Sequence, residues 1–235
     1  IVDIGGGTSD FTVVRLGPER AAREERGDDV LATTGVHIGG TDYDQRLNLD
    51  RVMPLLGFGH HGPQGREVPS KVFFDLSSWH LINWLYLAKA TRQARELRTS
   101  YADTRLHDRL MAVLDERHGH RVLGAVEQAK IDASVGDAPA TIDLDCAEPG
   151  LTASLSPADM AQQLAAQFEA VIACAHACVK RAGLRSNELD AIYLTGGSSA
   201  LRPFQQALRK SFAGVPLVEG DLFGGVASGL AFAAR

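Results

Sequence analysis

Cysteine is scarce in this chain: Cys146, Cys174 and Cys178 are the only three among 235 residues. A low, odd count argues against a disulfide framework and fits a reducing cytoplasm, which is the expected location. Cys174 and Cys178 stand four apart on an expected helix and could share a metal. His176 between them points elsewhere, so packed thiols are the simpler reading. No apolar run is long enough to span a membrane as a helix. No secretory signal pattern is present, and there is no starting Met. The chain opens on Ile1-Val2-Asp3-Ile4, which reads as the inside of a strand, so residues upstream are expected. A surplus of positive charge is also lacking: the formal net charge is -5, which gives no support to a nucleic-acid-binding surface. Neither nucleic acid nor membrane is an expected partner. Internal repeats and low-complexity tracts are missing too.

What remains is a globular composition, 45% apolar and 23% charged, with enough length for one large domain or two modest ones. Residues 1–4 read as a strand, Gly5-Gly6-Gly7-Thr8 as a turn, and 9–16 as a second strand with alternating polarity. Residues 17–29 are polar and read as an exposed excursion. A third strand is expected at 30–36 and a helix at 41–53, with Thr41 or Asp42 as N-cap. Loop signals fill 54–72, and a helical pattern runs from 77 to 135 with a break near Gly119. Short strands at 140–146 and 151–155 flank the turn Glu148-Pro149-Gly150. Ser156-Pro157 opens a long helix to about Arg181. A strand at 190–195, a helix at 199–212, a strand at 215–218 and a helix from Asp221 to the end complete the pattern. Fold class is therefore α/β: a mixed sheet with flanking helices from 1–40 and 156–235, interrupted at 41–155 by a mainly helical subdomain with a short β-hairpin.

Four segments could carry chemistry. Asp3-Ile-Gly5-Gly6-Gly7-Thr8-Ser-Asp10 is a glycine hairpin flanked by two acids. Glycines let the backbone approach a phosphate and turn N–H groups toward it. It is not a P-loop, since no Gly-Lys-Ser/Thr follows, and not a Rossmann turn, since a strand follows it. Asp3 and Asp10 could hold Mg²⁺ through its waters; a plain hairpin with two exposed acids is the alternative. Gly39-Gly40 precedes a helix, and Leu194-Thr195-Gly196-Gly197-Ser198 runs from a strand through glycines into another. Helix N-termini suit anions, although ordinary loop chemistry also explains each pair. On the helix at 127–134, Glu127, Lys130, Ile131 and Ser134 share a face that could grip a ribose and flank an adenine; an exposed ion pair is the alternative.

Together and in this order, these segments resemble the actin, hexokinase and heat-shock ATPase superfamily. Asp3 to Asp10 looks like the second phosphate motif of DnaK-type chaperones. Ile38-Gly-Gly-Thr-Asp-Tyr-Asp44 resembles the segment two strands later, Glu127 to Ser134 the nucleoside-gripping helix, and Leu194 to Ser199 the adenosine motif. Met53-Pro-Leu-Leu-Gly57, Ala191 to Ser198 and Gly220-Asp-Leu-Phe-Gly224 are similar to YegD-type proteins. The resemblance implies the second lobe of an actin-like (ribonuclease H-like) ATPase domain, acting on ATP or ADP with Mg²⁺ and K⁺. It places Gly5, Gly6, Gly7 and Thr8 on the β- and γ-phosphates. Asp3 and Asp10 would order the metal, a monovalent cation and the attacking water, which makes Asp3, Thr8 and Asp10 the catalytic candidates. Gly39 and Gly40 would contact phosphates, Glu127, Lys130 and Ser134 the ribose and adenine, and Gly196, Gly197 and Ser198 the other side of the nucleoside. Client proteins and co-chaperones are the implied protein partners.

The departures are specific. Ile131 stands where the chaperones usually carry an adenine-stacking Arg, and Ala200 near a second Arg; each lost cation–π contact is worth about 0.5–2 kcal/mol. Thr41 replaces an acid. The first lobe's hairpin, lysine and general-base candidate are not found, so this part alone is expected to bind nucleotide poorly and to hydrolyse it hardly at all. Two other readings stay open: a nucleotide-weak protein-interaction module with vestigial motifs, and a small-molecule kinase of the same superfamily. Trp79 and Trp84 are expected in a core, and His60, His61, His118 and His120 in exposed loops.

Overall fold

The computed structural model describes residues 1–21 and 25–220. The helix expected from Asp221 onward, the tail of Gly220 to Gly224 and part of the polar excursion lie outside the described residues. The chain divides into two compact units, one of residues 1–42 with the described residues from Ala165 on, the other Tyr43–Leu164.

The first unit is built on a mixed five-stranded sheet in the order β3-β2-β1-β6-β7. Strands β1 (Val2–Ile4) and β2 (Ser9–Val14) form the hairpin, and β3 (Val30–Val36) pairs antiparallel to β2. On the other side of β1, β6 (Ile192–Thr195) and then β7 (Leu217–Glu219) run parallel. A short α1 (Pro18–Ala21) follows β2. Helix α9 (Ala165–Arg181) packs on β2 and β3, and α10 (Arg202–Ser211) lies against α9. The packing follows the sequence's alternation. Val2, Ile4 and Phe11 are buried, whereas Asp3 and Asp10 occupy the alternate positions and face the other way. Phe168 of α9 and Phe204 of α10 meet edge to face at 5.7 Å, both buried. Each such ring stabilises the unit by about 1.5–3 kcal/mol. Cys178 is buried on α9 with its thiol on the carbonyls of Phe11 and Ala32.

The second unit is mainly helical. It takes up α2 (Gly40–Arg51) from Tyr43 on, then α3 (Lys71–Leu76), α4 (Ile82–Leu85), α5 (Ala88–Glu96), α6 (Thr104–Asp115) and α7 (Gly119–Val135). The hairpin of β4 (Ala140–Asp143) and β5 (Thr152–Leu155) and the short α8 (Pro157–Gln163) close it. The break near Gly119 has a local cause. Arg117 takes a left-handed φ of 58°, and Gly119 sits where a side chain would collide with Ile82 and Tyr86.

Two expectations are corrected. The single helix from Ser156 to Arg181 is two helices, α8 and α9, parted at Leu164, whose side chain is fully buried. Ser156 does cap the first, in a capping box with Asp159. Trp84 is not core: it is 65% exposed, because α4 turns Ile82 and Leu85 inward and leaves Trp84 on its other side. Trp79 is half-buried, and its indole N–H donates to Asp44 at 3.4 Å.

Candidate functional site: a glycine hairpin over a helix N-terminus

The first unit brings the three glycine-bearing segments together. The turn after β1 closes on itself, with Gly5 N–H donating to Thr8 C=O at 2.9 Å. Below it lies the start of α2. Gly40 N–H donates to Gly5 C=O at 2.9 Å, Thr41 N–H to Gly6 C=O at 2.7 Å, and the Thr41 hydroxyl to the same Gly6 carbonyl at 2.9 Å. Beside it, Ser198 Oγ donates to Gly5 C=O at 3.5 Å. Gly196 holds a left-handed φ of 77° and passes so near Ile4 C=O and Asp3 that a side chain would strike them.

The two glycine groups have different reasons to be glycine. Gly39 and Gly40 are buried, and a Cβ on Gly39 would lie 2.6 Å from Gly6 O and 2.8 Å from Gly5 O. Gly6 and Gly7 are exposed and have ordinary φ values. A Cβ on Gly7 would meet nothing within 4 Å, and one on Gly6 only the Thr41 methyl at 4.0 Å. Among the described residues no acceptor takes the N–H groups of Gly6, Gly7 or Thr8. The carbonyls of Gly5, Gly6 and Thr8 each accept a hydrogen bond from the protein. The amides of Gly6, Gly7 and Thr8 are left over, and successive free N–H groups of this kind form a nest suited to an anion.

At Gly39 and Gly40, from which phosphate contacts were expected, the amides are engaged within the protein. The N–H of Gly40 is spent on Gly5, and that of Gly39 on the Asp42 carboxylate at 2.8 Å. They support the hairpin from below and have no amide to offer a phosphate. Asp42 is thus not an N-cap but the third helical residue, reaching back to the residue ahead of the helix.

Asp3 and Asp10 stand directly opposite each other on β1 and β2. Thr8 Oγ1 donates to Asp10 Oδ2 at 2.9 Å. Like charges in register repel. Burial first, and then the neighbouring Asp10 charge, push the Asp3 carboxyl above its ordinary value of 3.8. With a raised folded-state pKa, the stability contributed by Asp3 is complete below pH 3.8 and is lost as pH rises through the raised value. Asp3→Asn is therefore expected to raise the melting temperature at neutral pH and to leave it unchanged well below pH 3.8. Thermal melts of both proteins across that range decide the matter, and a lowered neutral-pH melting temperature would contradict it.

Sequence reasoning missed Gly35. It lies opposite Asp10 on β3, where a Cβ would come within 2.6 Å of Asp10 Oδ1. The signal was there, since an isolated glycine inside a strand marks a close approach. Thr12 and Thr33 pair further along the same ladder without taking part.

In the second unit the predicted face of α7 splits. Lys130 and Ser134 are buried, while Glu127 and Ile131 are exposed, Ile131 by 45%. Lys130 does not pair with Glu127. Its ammonium lies 2.6 Å from Asp44 on α2, with side-chain exposures of 7% and 2%. Burial pushes the Asp44 carboxyl up, and the Lys130 charge and hydrogen bond pull it back. Asp44 was quoted as part of the Gly39-Gly40 segment, but its partner was not legible there.

These features define an α/β protein that carries an amide nest at the end of a mixed sheet. The family model described as Hsp70 protein matches residues 101–235, more than half of the chain, and the chain belongs to the Hsp70 family. That match takes in the Gly196-Gly197-Ser198 turn and α7; the hairpin at Gly5–Thr8 lies ahead of it. Membership suggests a function of chaperone or ATPase type, with nucleotide and client or co-chaperone interactions as the family's general traits.

Proposed function

We propose that this chain is a lobe of an actin-like, ribonuclease H-like ATPase domain of YegD type. In this reading it binds the phosphates of ATP or ADP on the amides of Gly6, Gly7 and Thr8. The single observation that carries the proposal is the pair of exposed glycines, Gly6 and Gly7. Neither a left-handed φ nor a close neighbour requires glycine there, and the bare positions leave the amides open to an approaching ligand. Amide hydrogen bonds to a charged phosphate are worth about 1.5–3 kcal/mol each.

Asp3 and Asp10 fit a hydrated Mg²⁺, and a monovalent cation such as K⁺, because two facing carboxylates repel until a cation offsets them. Magnesium, when bound, neutralises phosphate oxygens. Asp3 and Asp10 would hold it through its waters, and Thr8 would orient Asp10 through the hydroxyl bond already present. Gly196, Gly197 and Ser198 would line the same nest. The roles of Glu127, Lys130 and Ser134 toward ribose and adenine rest on the resemblance alone. Hydrolysis would draw on a companion lobe that supplies a second phosphate hairpin, a lysine and a general base.

A specific observation favours phosphate-dominated binding over strong nucleoside recognition. Lys130 is already committed to Asp44, and Ile131 offers no cation to a base. The test is calorimetric titration with ADP and with AMP in Mg²⁺. ADP is expected to bind at least about tenfold more tightly, a difference of about 1.4 kcal/mol. Equal affinities for the two, or heat from neither, would remove the phosphate reading and leave the protein-interaction module.

A further inference from the structure

Gly35 lies inside β3, a poor place for glycine, and its φ is not left-handed. A Cβ there would come within 2.6 Å of Asp10 Oδ1. The next nearest atom, Ser9 O, would be at 3.6 Å, an ordinary contact. The backbone does not call for glycine at this position; the Asp10 carboxylate does.

Asp3, Asp10 and Gly35 form one row across the sheet, each directly opposite the next. Side chains in such a row share a face, with opposed Cβ atoms about 4.5–5.5 Å apart. An Asp10 oxygen 2.6 Å from the Cβ position of Gly35 has therefore crossed about half the gap to β3. The carboxylate leans over Gly35 and away from Asp3. Its other oxygen, Oδ2, accepts the Thr8 hydroxyl at 2.9 Å. Asp10 and Gly35 are both exposed, so nothing but the bare glycine makes this berth.

The lean sets the spacing of two like charges. Standing upright, the two carboxylates would be as close as their Cβ atoms. With Asp10 in its berth, the gap to Asp3 widens and admits an ion that keeps its water. That difference separates cations by chemistry. Mg²⁺ gives up water reluctantly, whereas Ca²⁺ takes carboxylates directly and in flexible geometry.

We propose that Gly35 is a positioning residue for Asp10 and thereby sets the cation preference of the site. The berth spaces Asp3 and Asp10 for a hydrated divalent ion. A side chain at this position expels Asp10 toward Asp3, and the closer pair then suits an ion bound directly. The inference rests on the cation reading of Asp3 and Asp10 given above. The strands stay in place, because the tip of an exposed side chain yields more readily than backbone.

The test uses nucleotide-free protein, parent and Gly35→Ala. Titrations with Mg²⁺ and with Ca²⁺ are followed at the backbone amides of Asp3 and Asp10. Gly35→Ala is expected to melt as the parent does and to lower Mg²⁺ affinity relative to Ca²⁺ affinity at least about tenfold. Proton–proton Overhauser contacts follow Asp10 without any metal. Its methylene is expected to contact Gly35 in the parent and Asp3 in Gly35→Ala. An unchanged affinity ratio, or an Asp10 that keeps its place in Gly35→Ala, overturns the berth and leaves the cation reading standing. A lowered melting temperature also overturns it, since the strands would then have yielded. If the parent binds neither ion, the cation reading falls and this inference with it.

Discussion

Gly39→Ala is expected to destabilise the first unit, whereas Gly7→Ala is expected to leave its stability intact and to weaken phosphate binding. The two substitutions add the same methyl group to glycines of one site. At Gly39 the methyl would sit 2.6 Å from Gly6 O, 2.7 Å from Gly6 C and 2.8 Å from Gly5 O. These are backbone atoms, themselves fixed by bonds from Gly40 and Thr41, so they cannot yield as a side-chain tip would. Overpacking of this kind costs about 1–3 kcal/mol or more, a large share of the 5–15 kcal/mol typical of a domain. A fall of about 3–10 °C in melting temperature follows. At Gly7 nothing lies within 4 Å, and φ is not left-handed, so the folded state tolerates alanine. The same methyl would stand on the open side of the amide nest, where a phosphate has to approach. ADP affinity should drop at least about tenfold with the melting curve unmoved. Parent-like ADP binding by Gly7→Ala would mean that no ligand uses this surface.

The second large effect is expected at the Asp44–Lys130 pair. Both side chains are nearly inaccessible, so surface screening does little to soften the loss of one partner. Among the described residues, Lys130→Met leaves a buried carboxylate with only the Trp79 indole, a bond of 3.4 Å, for support. Asp44→Leu leaves a buried ammonium. Each should cost about 3–5 kcal/mol, because an uncompensated charge stays buried. The double substitution Asp44→Leu with Lys130→Met should recover much of that loss, since no charge is then desolvated. Urea denaturation of all four proteins gives the coupling energy directly. Single substitutions within about 1 kcal/mol of the parent would show that the pair is solvated and that Lys130 is free for another partner.

The parts of the fold that could be read from sequence are those set by local pattern. The strand read at Val30 to Val36 coincides with β3 to the residue. The glycine run after Ile4 makes a hairpin, and Gly39-Gly40 opens a helix. The Ser156-Pro157 start was also local, because a capping box needs only neighbours in sequence. What could not be read depends on which group faces which across the fold. Gly39 and Gly40 look like a phosphate turn in isolation, yet their amides are taken by Asp42 and Gly5, the latter a partner far back in the chain. Lys130 and Glu127 share a helical face by spacing, but burial separates them and gives Lys130 to Asp44. Trp84 was expected inside, whereas the inward positions of its helix are taken by Ile82 and Leu85.

The most direct test of the central claim is an ADP titration of the isotope-labelled chain in Mg²⁺, followed by the backbone amide resonances of Gly6, Gly7 and Thr8. The account predicts saturable shifts at these amides with ADP and none with adenosine, while Gly39 and Gly40, whose N–H groups are already bonded, move less. Stationary Gly6, Gly7 and Thr8 amides at saturating ADP, or equal shifts with adenosine, would contradict it.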